Sequence, residues 1–405
     1  MHATGFAFPN DGHVLWSLMI VMYPYITGLM FGCFIVSALY LVFGRVLLRP
    51  VARLSLVASL GFLIAAPLPL LFHLGRPELA LNVLITPNFM SAMAAFGYVY
   101  SVCIAIILIM VWLTWRPEIV ARAKEGRGLR KLFYWFLALG VLDDSKESFR
   151  IDHRVTLVLA GIGIPTACIL SGYVGFIFGS VKANYWWSST LMPVIFLFSA
   201  VTSGVAMVIV LYQGLSKLSR RVIDSDCVQA LAQWLWLFSI MTITLEILEI
   251  ITLAYERNEE WLVIEPLLFD AIKTSFWVIQ ILIGSGIPLI LLGIVVVFRR
   301  FLSSGLRNSL TFLSSLILLV QVFAMRWNII IGGQMFSKSL GGFREPYVPQ
   351  FWEKEGVATA IGIFLIPFIF LAVFSFFFSL FEETPTEPEE EVKESEASEE
   401  AIVPA

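Results

Sequence analysis

Nine stretches, at about 14–43, 52–72, 92–115, 155–179, 190–213, 229–254, 272–298, 308–331 and 357–381, are almost unbroken hydrocarbon. A spanning helix needs roughly 20 mostly apolar residues, and each stretch is long enough. Within a bilayer every backbone N–H and C=O must be paired inside the structure, which admits only helices and closed barrels. The sequence shows none of the short alternating segments of a barrel strand. The runs therefore predict an all-α polytopic membrane protein with nine transmembrane helices. Composition agrees: of 405 residues 59% are apolar and 14% charged, and mean hydropathy is +0.86.

Lysine and arginine set the expected orientation, because loops on the cytoplasmic side are enriched in both. Counting the tail residue Lys393, 19 of the 27 basic residues fall on the side reached after spans one, three, five and seven. This places the N-terminus outside and the C-terminus inside. The opening MHATGFAFPNDGH lacks the basic region of a signal peptide, so the first span is expected to be retained. The last 24 residues, 382–405, hold ten glutamates and one lysine, and read as a disordered cytoplasmic tail. A tail charge of −9 within a net charge of −3 leaves the membrane body at +6.

Several chemistries are disfavoured. Cys33, Cys103, Cys168 and Cys227 stand singly in apolar runs, without the CxxC or CxxCH spacing of metal or haem attachment. His2, His13, His73 and His153 lie in the N-terminal arm or at span ends, not paired across mid-membrane as haem b ligands would be. No Walker A sequence, dinucleotide turn or HExxH is present. The chain is expected to carry no metal, haem or iron-sulfur cluster of its own and to bind no nucleic acid.

Ionisable groups within spans carry the most information, since a charge at mid-bilayer costs about 2.5 to 3.5 kcal/mol on insertion scales. Thr242, Glu246, Glu249 and Glu256 share one face of span six by helical spacing, and Asp270, Lys273 and Gln280 form a stripe on span seven. Packed face to face, these stripes would make a proton relay of Glu246, Glu249, Asp270 and Lys273. After span eight the segment RWNIIIGGQMFSKSLGGFREPYVP places Arg326, Gln334 and Lys338 around a double glycine expected to break the helix. His13, the HLGRPE stretch with His73 and Arg76, and the SVKANYWWSS turn lie on the same outer side. Trp186 and Trp187 in that turn read as interfacial belt residues, and Tyr23 and Tyr25 as packing around Pro24.

HLGRPELALNVLITPN followed by SAM resembles the signature of the polysulfide-reductase membrane subunit family, also called NrfD/PsrC. GLMFGCFIVSALY, SGYVGFIFGSVKANYWWSSTLMPVIFLFSAVTSG and RWNIIIGGQ are similar to further parts of that pattern. The last leans toward the sulfite-reductase-associated (DsrP-like) and alternative complex III branches. The resemblance, over most of residues 10–350, implies an eight-helix core of two four-helix bundles, here 14–179 and 180–331. An outer arm (1–13), an outer loop (332–356), a ninth helix (357–381) and the tail complete the chain. It also implies a quinone site near the outer face, for menaquinone or ubiquinone, and work beside a ferredoxin-like iron-sulfur subunit among further redox subunits, in respiration or sulfur metabolism.

A quinol releases two electrons and two protons, so its site needs hydrogen-bond partners and a proton acceptor within an apolar slot. His13 is the first candidate, because the resemblance implies a histidine near the start of span one. His73, Arg76, Arg326 and Gln334 follow as quinone-binding candidates, with Glu246 and Glu249 as catalytic proton acceptors. Structural roles compete at each position. Arg76 would equally cap span two or pair with Glu78 or a lipid phosphate, His13 would sit at the interface without a ligand, and the glutamates would pair with Lys273 or Arg326. An ion-coupled transporter and a passive anchor without a quinone site remain as alternatives. A transporter would want its site near the midplane between broken helices.

Overall fold

The computed structural model describes residues 12–337, 340 and 342–381. The acidic tail at 382–405, most of the N-terminal arm and Lys338 lie outside the described residues. Among the described residues nine helices are long and apolar enough to span a membrane: α1 (Leu18–Leu41), α2 (Val46–His73), α3 (Ala92–Glu125), α4 (Lys146–Gly179), α5 (Met192–Leu218), α6 (Ser225–Glu256), α7 (Thr274–Val297), α8 (Ser304–Gln334) and α9 (Val357–Phe377). The end of the molecule that holds the start of α1 is called here the N-face, and the opposite end the basic face.

Local sequence explains where these helices begin. Ser17, Ser91, Ser145, Asp224 and Ser303 accept hydrogen bonds from the first free N–H groups of α1, α3, α4, α6 and α8. Such caps satisfy donors that have no partner within the helix. Inside α2 the pair Pro67 and Pro69 interrupts the ladder between Arg49–Ala65 and Leu68–His73. Helices α3 and α4 run well past their apolar stretches, to Glu125 and from Lys146. Charged side chains carry them there, with Arg116 paired to Asp152 at 2.5 Å and Arg53 to Glu118 at 2.8 Å.

Helices α1 to α4 pack as a ring, α1 on α2, α2 on α3, α3 on α4 and α4 on α1; α5 to α8 repeat the arrangement. Helix α1 joins the two four-helix bundles by packing on α5 and α8. Its most apolar window is 89% buried, against 22% for α9 on the flank. The α1–α5 crossing is a backbone contact. A Cβ on Gly32 would lie 2.6 Å from Gly204 Cα and 2.7 Å from Ala200 O, so only glycine permits the approach. Helix α9 packs along α2, where Gly61 receives Phe370 and Phe62 meets Phe368 edge to face. Tyr23 and Tyr25 pack as expected around Pro24, Tyr23 against Phe96, while the Tyr25 hydroxyl donates to Leu319 O at 3.2 Å.

Two sequence expectations need correction. Helix α8 does not break at Gly332–Gly333 but continues to Gln334. The glycines instead admit a neighbour: the Trp187 ring occupies the space a Gly333 side chain would fill, and Asn184 Nδ2 donates to Gly333 O at 2.8 Å. Trp186 and Trp187 are consequently buried, 8% and 3% exposed, and do not form a lipid-facing belt. Their indole N–H groups donate to Asn328 O at 3.1 Å and Ile329 O at 2.6 Å.

Candidate functional site

Glu246 is the centre of a polar network inside the second bundle. It is 5% exposed. Gln280 Nε2 of α7 donates to its Oε2 at 2.8 Å, and Gln321 Nε2 of α8 donates to its Oε1 at 3.3 Å. Asn328 Nδ2 donates in turn to Gln280 Oε1 at 2.8 Å, and the Ser275 hydroxyl to Asn328 Oδ1 at 2.6 Å. One turn before Glu246, the hydroxyls of Thr242 and Thr202 lie 3.0 Å apart. Three amides and no cation thus bond directly along this chain. Burying polar groups is tolerable when each is satisfied, and here the chain of bonds runs from α6 through α7 to α8.

Arg326 is buried beside this network, 1% exposed and within electrostatic reach of Glu246. Its Nη2 donates to Ser199 Oγ at 2.7 Å and Phe196 O at 3.2 Å, and the guanidinium lies 3.7 Å over the Phe196 ring. Its Nε has no hydrogen-bond partner. Glu249, one turn further along α6, is half-buried, with Ser189 nearby. Glu246 and Glu249 line a cavity of about 20 Å³ together with Trp186, Phe276, Gln280 and Asn328. A space of that size holds a water, not a quinone ring.

The proposed partnership with span seven fails in part. Gln280 faces Glu246, but Asp270 and Lys273 are exposed. The cause is helical winding: Leu267–Ala271 and Thr274–Gly286 are π-helical. Bonding from i to i+5 takes more residues per turn than an α-helix, so a seven-residue spacing no longer returns to the same face. Gly284 lets this wider helix close on α8, since a side chain there would meet Gln321 Cβ at 2.7 Å.

The other candidates lie at the N-face. His13 is 79% exposed and its Nδ1 pairs with Glu345 Oε2 at 3.0 Å, at the surface of this chain. Arg76 and Glu78 are exposed in the segment after α2. Gln334 ends α8, where Arg344 Nη1 donates to its backbone O at 2.9 Å. His73 is better placed: its Nδ1 lies 2.6 Å from Glu355 Oε2, and the Ser17 hydroxyl donates to the same oxygen. Burial works against the Glu355 charge, but the hydrogen bonds from Ser17 and His73 outweigh it and hold the carboxyl below its usual range.

Sequence reasoning missed Ser17 and Glu355. Glu355 was visible as an ionisable residue just before a span on the same side as His73. The two clusters are linked, because Trp16, adjacent to Ser17, stacks on Trp187 at 5.0 Å and 11°. Among the described residues no group of three His, Cys, Asp or Glu is arranged to hold a metal.

Fold and site define a multi-pass membrane protein with an interior carboxylate network. The family model described as polysulphide reductase, NrfD, matches residues 8–338, and the chain belongs to that family. It is 30% identical to a selenate reductase subunit of Mesobacillus selenatarsenatis over 322 residues, 78% of this chain and 73% of that protein. It is 24% identical over 365 residues to the Hdr-like menaquinol oxidoreductase integral membrane subunit of Archaeoglobus fulgidus, covering 87% of this chain and 77% of the other. Protein NrfD of Escherichia coli is 25% identical over 210 residues, 49% of this chain and 59% of that protein.

Proposed function

We propose that the chain is the quinone-reactive membrane subunit of a multi-subunit respiratory oxidoreductase and exchanges electrons with an iron-sulfur subunit docked on the N-face. The observation that carries this reading is Glu246: a carboxylate within a spanning helix, bonded by amides and joined through a water-sized cavity to half-buried Glu249. A bound quinol supplies two electrons and two protons. Glu249 and Glu246 would accept protons, and the amides of Gln280, Gln321 and Asn328 would hold the Glu246 carboxylate in place. His73 offers its second ring nitrogen to an oxygen at the N-face, and Glu355, itself held by the Ser17 hydroxyl, orients His73. The small cavity fits proton movement, and in this reading the ring would bind beside it. The selenate reductase and menaquinol oxidoreductase relatives support the reading by their names.

The distribution of basic residues supports an N-face on the outer side of the membrane. A reporter fused after Phe381 tests this, and activity only in an outward-facing format would reverse the assignment. Native purification tests the function: an iron-sulfur subunit and a bound quinone should accompany the chain. A chain recovered with neither, from membranes where it supports transport of a solute, would favour the transporter alternative.

A further inference from the structure

Helix α9 packs along α2 and leaves a groove of about 540 Å³ between itself and the last two turns of α5, at the basic face. Leu211, Leu215, Phe368, Leu371 and Ala372 form apolar walls, and Phe381 and Arg221 close the end nearest the surface. From Phe368 to Phe378 the groove follows the chain for about 15 Å at helical rise. Its size is that of a ligand pocket.

The ends of the groove differ in chemistry. Two of the three hydroxyls within it are already used, Ser375 donating to Ala372 O and Ser379 to Phe381 O, both at 2.7 Å, and the third is on exposed Ser219 at the mouth. No Asp, Glu or His is among the described residues lining it, so none of them would exchange a proton with a quinol. Among the described residues lining the groove the one charged side chain is Arg221 at the mouth, whose guanidinium lies 5.0 Å over the Phe381 ring; Arg220 beside it is exposed, while Lys217 turns to the Phe312 ring of α8.

We infer that the groove between α5 and α9 binds one anionic phospholipid, its acyl chain along Leu211, Leu215 and Leu371 and its phosphate at Arg221. Apolar walls need an apolar occupant, and a cationic mouth at the membrane surface selects a negative headgroup over a zwitterionic one. The lipid would fix α9 to the second bundle, which it otherwise flanks.

The test is native mass spectrometry and lipid extraction of the full chain with whatever subunits copurify, after exchange into mixed phosphatidylglycerol and phosphatidylcholine. Wild type should retain one phosphatidylglycerol per chain. Arg221→Gln should reduce its preference over phosphatidylcholine by about fivefold, the effect of one basic residue at a membrane surface. Ala372→Trp fills the groove without changing charge and should abolish retention of either lipid there. Equal retention of both lipids by wild type, unaltered preference in Arg221→Gln, or recovery of a quinone that Ala372→Trp displaces would each overturn the inference.

Discussion

Gln280 Nε2 reaches Glu246 Oε2 at 2.8 Å, so the one buried carboxylate of α6 is held by an amide of α7 and not by a cation. The amide is itself fixed, because its oxygen accepts from Asn328. A lysine or arginine bonded at this point would lock the charge in place. An amide leaves the carboxyl free to gain and lose a proton while its position is kept.

Replacing Gln280 with Ala would strip one donor from Glu246 and leave Asn328 Nδ2 without its acceptor. Each orphaned buried group costs about 1 to 3 kcal/mol. The purified variant should unfold at a lower temperature than wild type in the same detergent, and an equal midpoint would show that the network is not structural.

Gly204→Val tests the crossing of the two bundles. Gly32 and Gly204 leave no room for a side chain, and overpacking costs about 1 to 3 kcal/mol even where some relaxation is possible. Yield of monodisperse protein should fall sharply. The same change at Gly214, where a Cβ meets nothing within 4 Å, should be tolerated.

Glu355 ties the start of α9 to α1 and α2. Its carboxyl is held below its usual range, so its stabilisation is complete above the ordinary carboxylate pKa and is lost as pH falls through the lowered value. Thermal stability of wild type should therefore drop on acidification below about pH 4.5. Glu355→Gln should be less stable at neutral pH and lack that part of the acid limb. Parallel profiles would show that the clasp contributes nothing.

His13→Ala should change little. The pair with Glu345 is exposed on both sides, and such pairs are worth about 0 to 1 kcal/mol. Turnover of the assembled complex should stay within about twofold of wild type, whereas a larger loss would return His13 to the site.

The spans were legible because nine long apolar runs admit little else, and Glu246 and Glu249 because they interrupt one of those runs at helical spacing. Their ends were less so: hydropathy stops at Trp115, but α3 continues through Arg116 and Glu118, whose charges pair outside the apolar layer. The π-helical turns of α7 were invisible, since an apolar run reads the same whether it winds with i to i+4 or i to i+5 bonds. That one feature separated Lys273 from Gln280. Trp186 and Trp187 were misread because an indole at a membrane edge looks the same in sequence whether it faces lipid or covers a helix end. Glu355 met His73 through a loop whose path no local pattern records.

Quinol oxidation by the natively purified complex, measured across pH for wild type, Glu246→Gln and Glu249→Gln, bears on the central claim most directly. Glutamine keeps the shape of each side chain and cannot take a proton, although at Glu246 it also replaces one of the two acceptor oxygens with an NH2 donor. General acid–base groups are worth about 10² to 10⁴ in rate, so at least one variant should lose about 10² in turnover with an altered pH profile, while the complex stays intact. Unchanged rates and profiles in both intact variants would contradict a proton-accepting role for this network.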